Sequence, residues 1–168
     1  MELLTVVAAL GLGLVLSISA GLRAFIAPFC MSAAAALGLV DLGDALAWMA
    51  SPLAVGTFGF AIAFELLADK VPAVDHAMDT VHFLAKPAAG ALVAMAMMDG
   101  ADPVLAAVAS LATGGVVAGA THAVKATVRL GSTCTTVGTC NPVLSVAEDV
   151  VAVLLSLGAT AGVAALAG

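Results

Sequence analysis

The chain has 168 residues, of which 63% are hydrophobic and only 10% are charged, and its formal net charge is −6. A soluble domain carries roughly 25% charged residues and could not bury this much apolar surface in one core, so lipid must cover the rest. The composition therefore excludes an ordinary soluble domain. Only 5 Lys and Arg residues are present, so no basic patch for nucleic acid is expected.

Six apolar stretches are predicted to form an all-α, polytopic transmembrane helix bundle, a single integral membrane domain over residues 1–168. A β-barrel would instead need segments of about ten residues that alternate polar and apolar. The second and fourth stretches are shorter than the roughly 17–25 residues that a span requires. They are expected to include flanking residues in the span, to thin the bilayer locally, or to cross the membrane only partly. The stretches are residues 3–21, 25–40, 52–68, 87–98, 103–126 and 142–166.

Proline placement supports four of these boundaries. Proline is favoured at the first position of a helix, and a Ser, Asp or Asn just before it can cap that helix. Pro28 differs because it lies within the second stretch, where it predicts a kinked helix. The four predicted starts are Ser51-Pro52, Lys86-Pro87, Asp102-Pro103 and Asn141-Pro142.

Small residues recur at helical spacing in three of the predicted spans. Such stripes let helices approach closely, either within one bundle or between copies of the chain. A single short bundle has little room for a pore, so a homo-oligomer is expected. The stripes are Gly13, Ser17 and Gly21; Gly115 and Gly119; and Gly158 and Gly162.

The connection between the third and fourth spans is predicted to contain a cytoplasmic amphipathic helix that opens at Pro72. Asp75, Asp79 and His82 fall at i, i+4 and i+7, so they share one face. These side chains could bind a divalent cation, with magnesium, calcium or manganese favoured over zinc. The alternative is a solvated helix face without a metal.

All five basic residues fall on one side of the six-span arrangement. Arg23 follows the first span, Lys70 and Lys86 flank the connection after the third, and Lys125 and Arg129 follow the fifth. The positive-inside rule makes this side cytoplasmic and places both termini outside. The opposite side carries only acids, which are Glu2, Asp41, Asp44, Asp99 and Asp102.

Ionisable side chains lie at a similar depth on the basic side. Each costs roughly 2.5–3.5 kcal/mol within a span, so it should face the bundle interior with a partner or water. Glu65 and Asp69 are predicted to meet the basic residues after the fifth span, and Glu148 to meet Arg23. Such ion pairs either hold short helices together or line a vestibule for an ion or solute. The predicted ion- or solute-binding residues are Glu65, Asp69, His122, Lys125, Arg129, Glu148 and Asp149, supported by Arg23.

Residues 131–142 are predicted to form a flexible loop dense in hydroxyl groups that leads into the sixth span. Hydroxyls and free backbone N–H groups at a helix N-terminus can hold an anion, and Lys125 and Arg129 would reinforce that site. The alternative is a polar loop that ends in an Asn cap. The supporting residues are Ser132, Thr133, Thr135, Thr136 and Asn141.

Five stretches combine charged, proline and small residues in a specific pattern: 21–25 (GLRAF), 64–75 (FELLADKVPAVD), 86–91 (KPAAGA), 121–129 (THAVKATVR) and 141–149 (NPVLSVAED). Together they resemble the small bacterial membrane proteins of domain of unknown function 4126. The resemblance implies a multi-pass protein of a bacterial inner membrane, and it implies no activity. Members usually carry Arg where Lys86 stands and lack Cys134 and Cys140.

The favoured functional hypothesis is a small transporter or channel-like protein with a charged, cytoplasm-facing vestibule for an ion or small polar solute. Glu65, Asp69 and Glu148 would coordinate or relay cations or protons there. One alternative is a metal-dependent enzyme that acts on lipid headgroups, although no catalytic motif is present. The other is a structural membrane assembly protein.

Overall fold

The computed structural model describes the backbone of residues 3–68, 72–137 and 139–167, with side chains over the same ranges except 72–79 and 167. These ranges contain helices and turns but no strand, which confirms the all-α class. The helices are α1 (Leu3–Leu22), α2 (Ile26–Ala36), α3 (Gly43–Leu46), α4 (Pro52–Ala68), α5 (Pro72–Met95), α6 (Pro103–Ser110), α7 (Val116–Thr136) and α8 (Asn141–Ala167).

Among the residues that the structure describes, three helical segments are long and apolar enough to cross a membrane, namely Leu3–Leu22, Pro103–Thr136 and Asn141–Leu166. A fourth is possible if Gly43–Ala50 and Pro52–Ala68, which meet at a 69° bend, count as one span. The structure thus supports three or four spans by length and composition. The predicted number of six is not established, because α2 has 11 residues and covers only about 16 Å of a core of about 30 Å.

The helix starts follow the proline signals in part. Asp102 caps α6 by accepting hydrogen bonds from the Val104 and Leu105 amides at 3.0 Å, as predicted. Lys86-Pro87 does not begin a helix, because α5 runs through Pro87 and joins the predicted amphipathic helix to the predicted fourth span. Asn141 is itself the first residue of α8 rather than a residue preceding it.

The kink predicted at Pro28 was wrong in its location. Pro28 is the third residue of α2, so it lies in the first helical turn. Backbone N–H groups in that turn lack an intrahelical partner, and the proline ring therefore removes nothing from the helix. The real interruption precedes it, between Leu22 at the end of α1 and Ile26 at the start of α2.

Small residues bring α1 to the centre of the bundle. Ser17 Oγ donates to the Gly90 carbonyl oxygen of α5 at 3.0 Å. Ser19 Oγ lies 2.6 Å from Ser156 Oγ of α8. An added Cβ at Gly21 would lie 2.5 Å from the Ala118 oxygen of α7. The first small-residue stripe therefore packs within the chain, as one of the two interpretations predicted.

In the second and third small-residue stripes, only some of the glycines pack closely against a neighbouring helix. An added Cβ would lie 3.2 Å from the Pro87 oxygen at Gly115 and 2.9 Å from Leu12 Cδ2 at Gly162, so both positions pack against neighbouring helices. Gly158 has no such neighbour within 4 Å. A π-helical turn, Leu111–Gly115, joins α6 to α7 and places its two adjacent glycines against α5.

Acidic residues meet at the end of the bundle opposite the α1–α2 interruption. Asp44 and Asp99 line one cavity of about 220 Å³ there, together with Pro103. Gly43 has a φ of +65° and packs so closely on the Asp99 carboxylate that a Cβ would overlap it. Asp44 and Asp99, which the sequence analysis places on one side of the chain, therefore lie at the same end of the fold.

Candidate functional site

The interruption between α1 and α2 leaves backbone groups that two charged side chains satisfy. Lys125 Nζ, from α7, donates to the Leu22 carbonyl oxygen at 3.0 Å. The Ala24 amide donates to Glu65 Oε1, from the last turn of α4, at 3.2 Å. A broken helix inside a bundle must find such partners, because hydrocarbon offers none.

Glu65 is buried, with only 1% of its surface exposed, and it faces several bases. Its Oε1 atom lies 3.4 Å from His82 Nε2 of α5. It also lies in the electrostatic field of Arg23, Lys86 and Lys125. Glu65 is thus the carboxylate on which α4, α5 and the α1–α2 interruption converge.

Lys86 makes an unusual contact for a buried lysine. Its side chain is 1% exposed, and its Nζ lies 3.0 Å from His122 Nδ1 of α7. Within the described part of the chain, no carboxylate oxygen comes within 4 Å of this ammonium group. An imidazole that can accept or release a proton is therefore the direct partner of Lys86.

A second set of ion pairs links α7 to α8. Glu148 Oε2 accepts from Lys125 Nζ at 3.0 Å and from Arg129 Nη2 at 2.7 Å. The Arg129 Nε atom also reaches Glu148 Oε1, at 3.3 Å, so the arginine is bidentate. This arrangement differs from the predicted pairing of Glu148 with Arg23.

Arg23 pairs instead with the next residue of α8. Its Nε atom contacts the Asp149 carboxylate, and its Nη2 atom donates to Ser145 Oγ at 2.9 Å. The predicted pairing assigned Arg23 to Glu148, and the structure corrects this by one residue. A shift of one residue turns a helix by about 100°, which hydrophobic runs alone do not specify.

These contacts define one cluster of ionisable side chains, the buried charge cluster, to which the α1–α2 interruption, α4, α5, α7 and α8 contribute. Its members Arg23, Glu65, His82 and Lys86 are buried, and the other members are half-buried. The structure brings together the predicted residues Glu65, His122, Lys125 and Glu148, but it pairs Glu65 with His82 rather than with Lys125 or Arg129. The buried charge cluster consists of Arg23, Glu65, His82, Lys86, His122, Lys125, Arg129, Glu148 and Asp149.

The sequence predicts other roles for two members of the buried charge cluster. It places His82 in a metal site and Lys86 directly before a helix start. Their spacing of i and i+4 places them on one face, and this becomes visible once α5 is read as a single helix through Pro87. The missed signal was the continuity of the apolar pattern across that proline.

The predicted metal site gains no support from the geometry. His82 is 4% exposed and faces Glu65, while the Asp75 and Asp79 side chains, like all of Asp69, lie outside the described residues. Among the residues whose side chains are described, no group of three or more His, Cys, Asp or Glu could hold a metal ion.

The hydroxyl-rich segment is mostly helix rather than a flexible loop. The last residue of α7 is Thr136, and its hydroxyl donates to the Ser132 carbonyl oxygen at 2.7 Å. Thr133 and Thr135 bond in the same way to carbonyls four residues earlier. These threonine hydroxyls therefore donate to their own helix. Asn141 Nδ2 donates to Thr133 Oγ1 at 2.9 Å and ties α8 to α7.

Taken together, the fold and the buried charge cluster define an α-helical protein with three or four helices that could span a membrane. A family model described as "Domain of unknown function (DUF4126)" matches residues 10–167, and the chain belongs to this family. No curated protein and no solved structure matches the chain.

Proposed function

We propose that this protein is a small membrane transporter or channel-like protein whose buried charge cluster provides a site for an ion or small polar solute. One observation carries the proposal: Glu65 is 1% exposed and is surrounded by ionisable groups from several helices. Ionisable residues within membrane helices are costly, and they typically mark ion pathways, proton relays or substrate sites.

The broken helix supports the same proposal. Transporter sites are commonly built where a helix is discontinuous, because the freed backbone groups can contact the transported species. Here the freed groups are the Leu22 carbonyl and the Ala24 amide, which contact Lys125 and Glu65. A cytoplasm-facing vestibule would open when these two contacts part.

The arrangement in the membrane is part of the proposal. The end with the basic residues faces the cytoplasm of a bacterial inner membrane, both termini face outward, and the chain makes six passes. In that arrangement α2 with the turn after it, and the Thr80–Met95 part of α5, are the two short passes. Membrane lipids cover the exposed apolar side chains, and several copies assemble to enclose a pathway.

One observation favours a second candidate, a structural role. Glu148 is held by Lys125 and Arg129 at once, which is the geometry of a helix-locking ion pair. A lock needs only complementary charges, whereas an ion site needs particular chemical groups. Exchanging the charges of Glu148 and Arg129 would preserve a lock but disturb an ion site.

The test is ion flux in liposomes that contain the purified protein, with proton, sodium, potassium and chloride movement recorded separately. We expect flux above that of empty vesicles, and we expect the Glu65→Gln, Glu148→Gln double variant to lose it. Asp102→Asn is the matched control because it changes an exposed carboxyl to an amide and keeps a capping oxygen. Flux that equals the empty-vesicle level, or that survives the double variant, would contradict the proposal.

A further inference from the structure

The geometry points to the proton as the ion that the buried charge cluster moves, along a relay formed by Glu65, His82, Lys86 and His122. This inference rests on the proposed transport function and names its substrate. In order along the path, the four side chains are a carboxylate, an imidazole, an amine and a second imidazole. Each of them can take up and release a proton. They follow one another from α4 through α5 to α7.

Two of the three steps are close contacts between helices. Glu65 Oε1 lies 3.4 Å from His82 Nε2, and Lys86 Nζ lies 3.0 Å from His122 Nδ1. The step between them follows α5 itself, because His82 and Lys86 are one turn apart. Residues at that spacing have Cβ atoms about 5–6 Å apart, which the flexible lysine side chain can cover.

Each transfer exchanges one bond for another. The protonated Glu65 carboxyl releases its proton to His82 Nε2, and the His82 ring releases a proton from its other nitrogen to a neutral Lys86 amine. The Lys86 ammonium then passes a proton to His122 Nδ1. One proton enters at Glu65 and one leaves from His122 Nε2. Both imidazole rings end in the opposite tautomer, so each ring must turn over before the next proton follows.

The surroundings of the relay place several cations against it. Arg23 and Lys125 face Glu65 from the α1–α2 interruption and from α7. Lys125 also lies in the field that Lys86 experiences. A proton carries positive charge, so Glu148 and Asp149, which pair with Lys125 and Arg23, reduce the electrostatic barrier along the path.

Other ions fit this part of the bundle less well. Glu65, His82 and Lys86 are almost fully buried, so a hydrated ion would first need the Glu65–His82 and Lys86–His122 contacts to separate. Four cavities among the described residues are lined by Asp44 and Asp99, by Leu39 and Val40, by Phe29 and Thr160, and by Trp48 and Phe58, and the linings of these four include no relay residue. A proton can pass through the contacts without such a space.

The experiment measures acidification of liposomes that contain the full chain and a trapped pH-sensitive dye, driven by a potassium diffusion potential. We expect proton flux in the wild type, and a loss of about a hundredfold in Lys86→Met and in His122→Gln, since a positioned proton carrier contributes on that order. Asp102→Asn should retain full flux. Lys86→Arg tests the role of the amine, because a guanidinium keeps the charge but does not release its proton.

The outcomes separate this inference from the function on which it rests. Sodium, potassium or chloride flux without proton flux would overturn the proton relay and leave transport standing. Proton flux that is unchanged in both Lys86 variants and in His122→Gln would also overturn the relay. Absence of flux for every ion would overturn both. Slower wild-type proton flux in deuterated water is expected, and it needs no variant to fold.

Discussion

Buried Lys86 of α5 meets half-buried His122 of α7, with Nζ and Nδ1 3.0 Å apart. A buried lysine ordinarily requires a carboxylate partner, because an unpaired charge in a medium of low polarity is costly. An imidazole provides a hydrogen bond and no opposite charge. The contact therefore joins two groups that exchange protons rather than two groups that neutralise each other.

This contact predicts how stability responds when Lys86 is replaced. Lys86→Met keeps most of the side-chain volume and removes a buried cation from among Arg23 and Lys125. We expect the free energy of unfolding to stay the same or to rise, by up to about 4 kcal/mol, as is found when buried charges give way to apolar groups. Thermal unfolding in detergent measures the effect. A decrease of several kcal/mol in the free energy of unfolding would show that Lys86 stabilises the fold.

Glu148 should behave in the opposite way. Glu148→Ala removes the only carboxylate that the described contacts place on both Lys125 and Arg129, and it leaves those two cations facing each other. We expect a loss of about 3–5 kcal/mol in the free energy of unfolding. Asp102→Asn provides the control. Stability equal to that of the wild type would mean that water already solvates the Lys125 and Arg129 side chains.

Close helix packing makes a separate prediction at Gly114. A Cβ there would overlap the Gly90 carbonyl oxygen of α5 and lie 2.8 Å from Ser17 Oγ. We expect Gly114→Ala to lower the free energy of unfolding by about 1–3 kcal/mol, since overpacking forces the helices apart. Gly158→Ala is the matched control, because no described neighbouring helix comes within 4 Å of its added Cβ. Equal stabilities of the two variants would contradict the packing.

The proposed orientation can be tested with the native thiols. Cys134 and Cys140 are free and exposed near the α7–α8 turn, whereas Cys30 is half-buried. A membrane-impermeant maleimide should label the first two only in inverted inner-membrane vesicles, since that turn lies beyond the basic residues of α7. Cys134→Ser, Cys140→Ser provides the background level. Labelling in intact spheroplasts would reverse the orientation.

Sequence patterns alone recovered the helix boundaries that have a local chemical signal. Asp102 before Pro103 predicted the start of α6, and Pro72 predicted the start of α5. The predictions at Lys86-Pro87 and at Pro28 were wrong because the sequence does not distinguish a proline in the first turn of a helix from a proline inside it. Which of the two applies depends on whether neighbouring helices support the backbone there.

Amino-acid composition by itself determined that this chain is largely apolar, and the length of its apolar stretches predicted helices rather than strands. The positions of those stretches also predicted a common depth for Glu65, Lys125 and Glu148. Only the tertiary structure decided their partners: Glu65 faces His82, and Glu148 faces Lys125 and Arg129. The physical reason is the rotation of each helix about its own axis. The apolar stretches predict how deep a residue lies, whereas the packing of small residues between helices fixes the direction in which its side chain points.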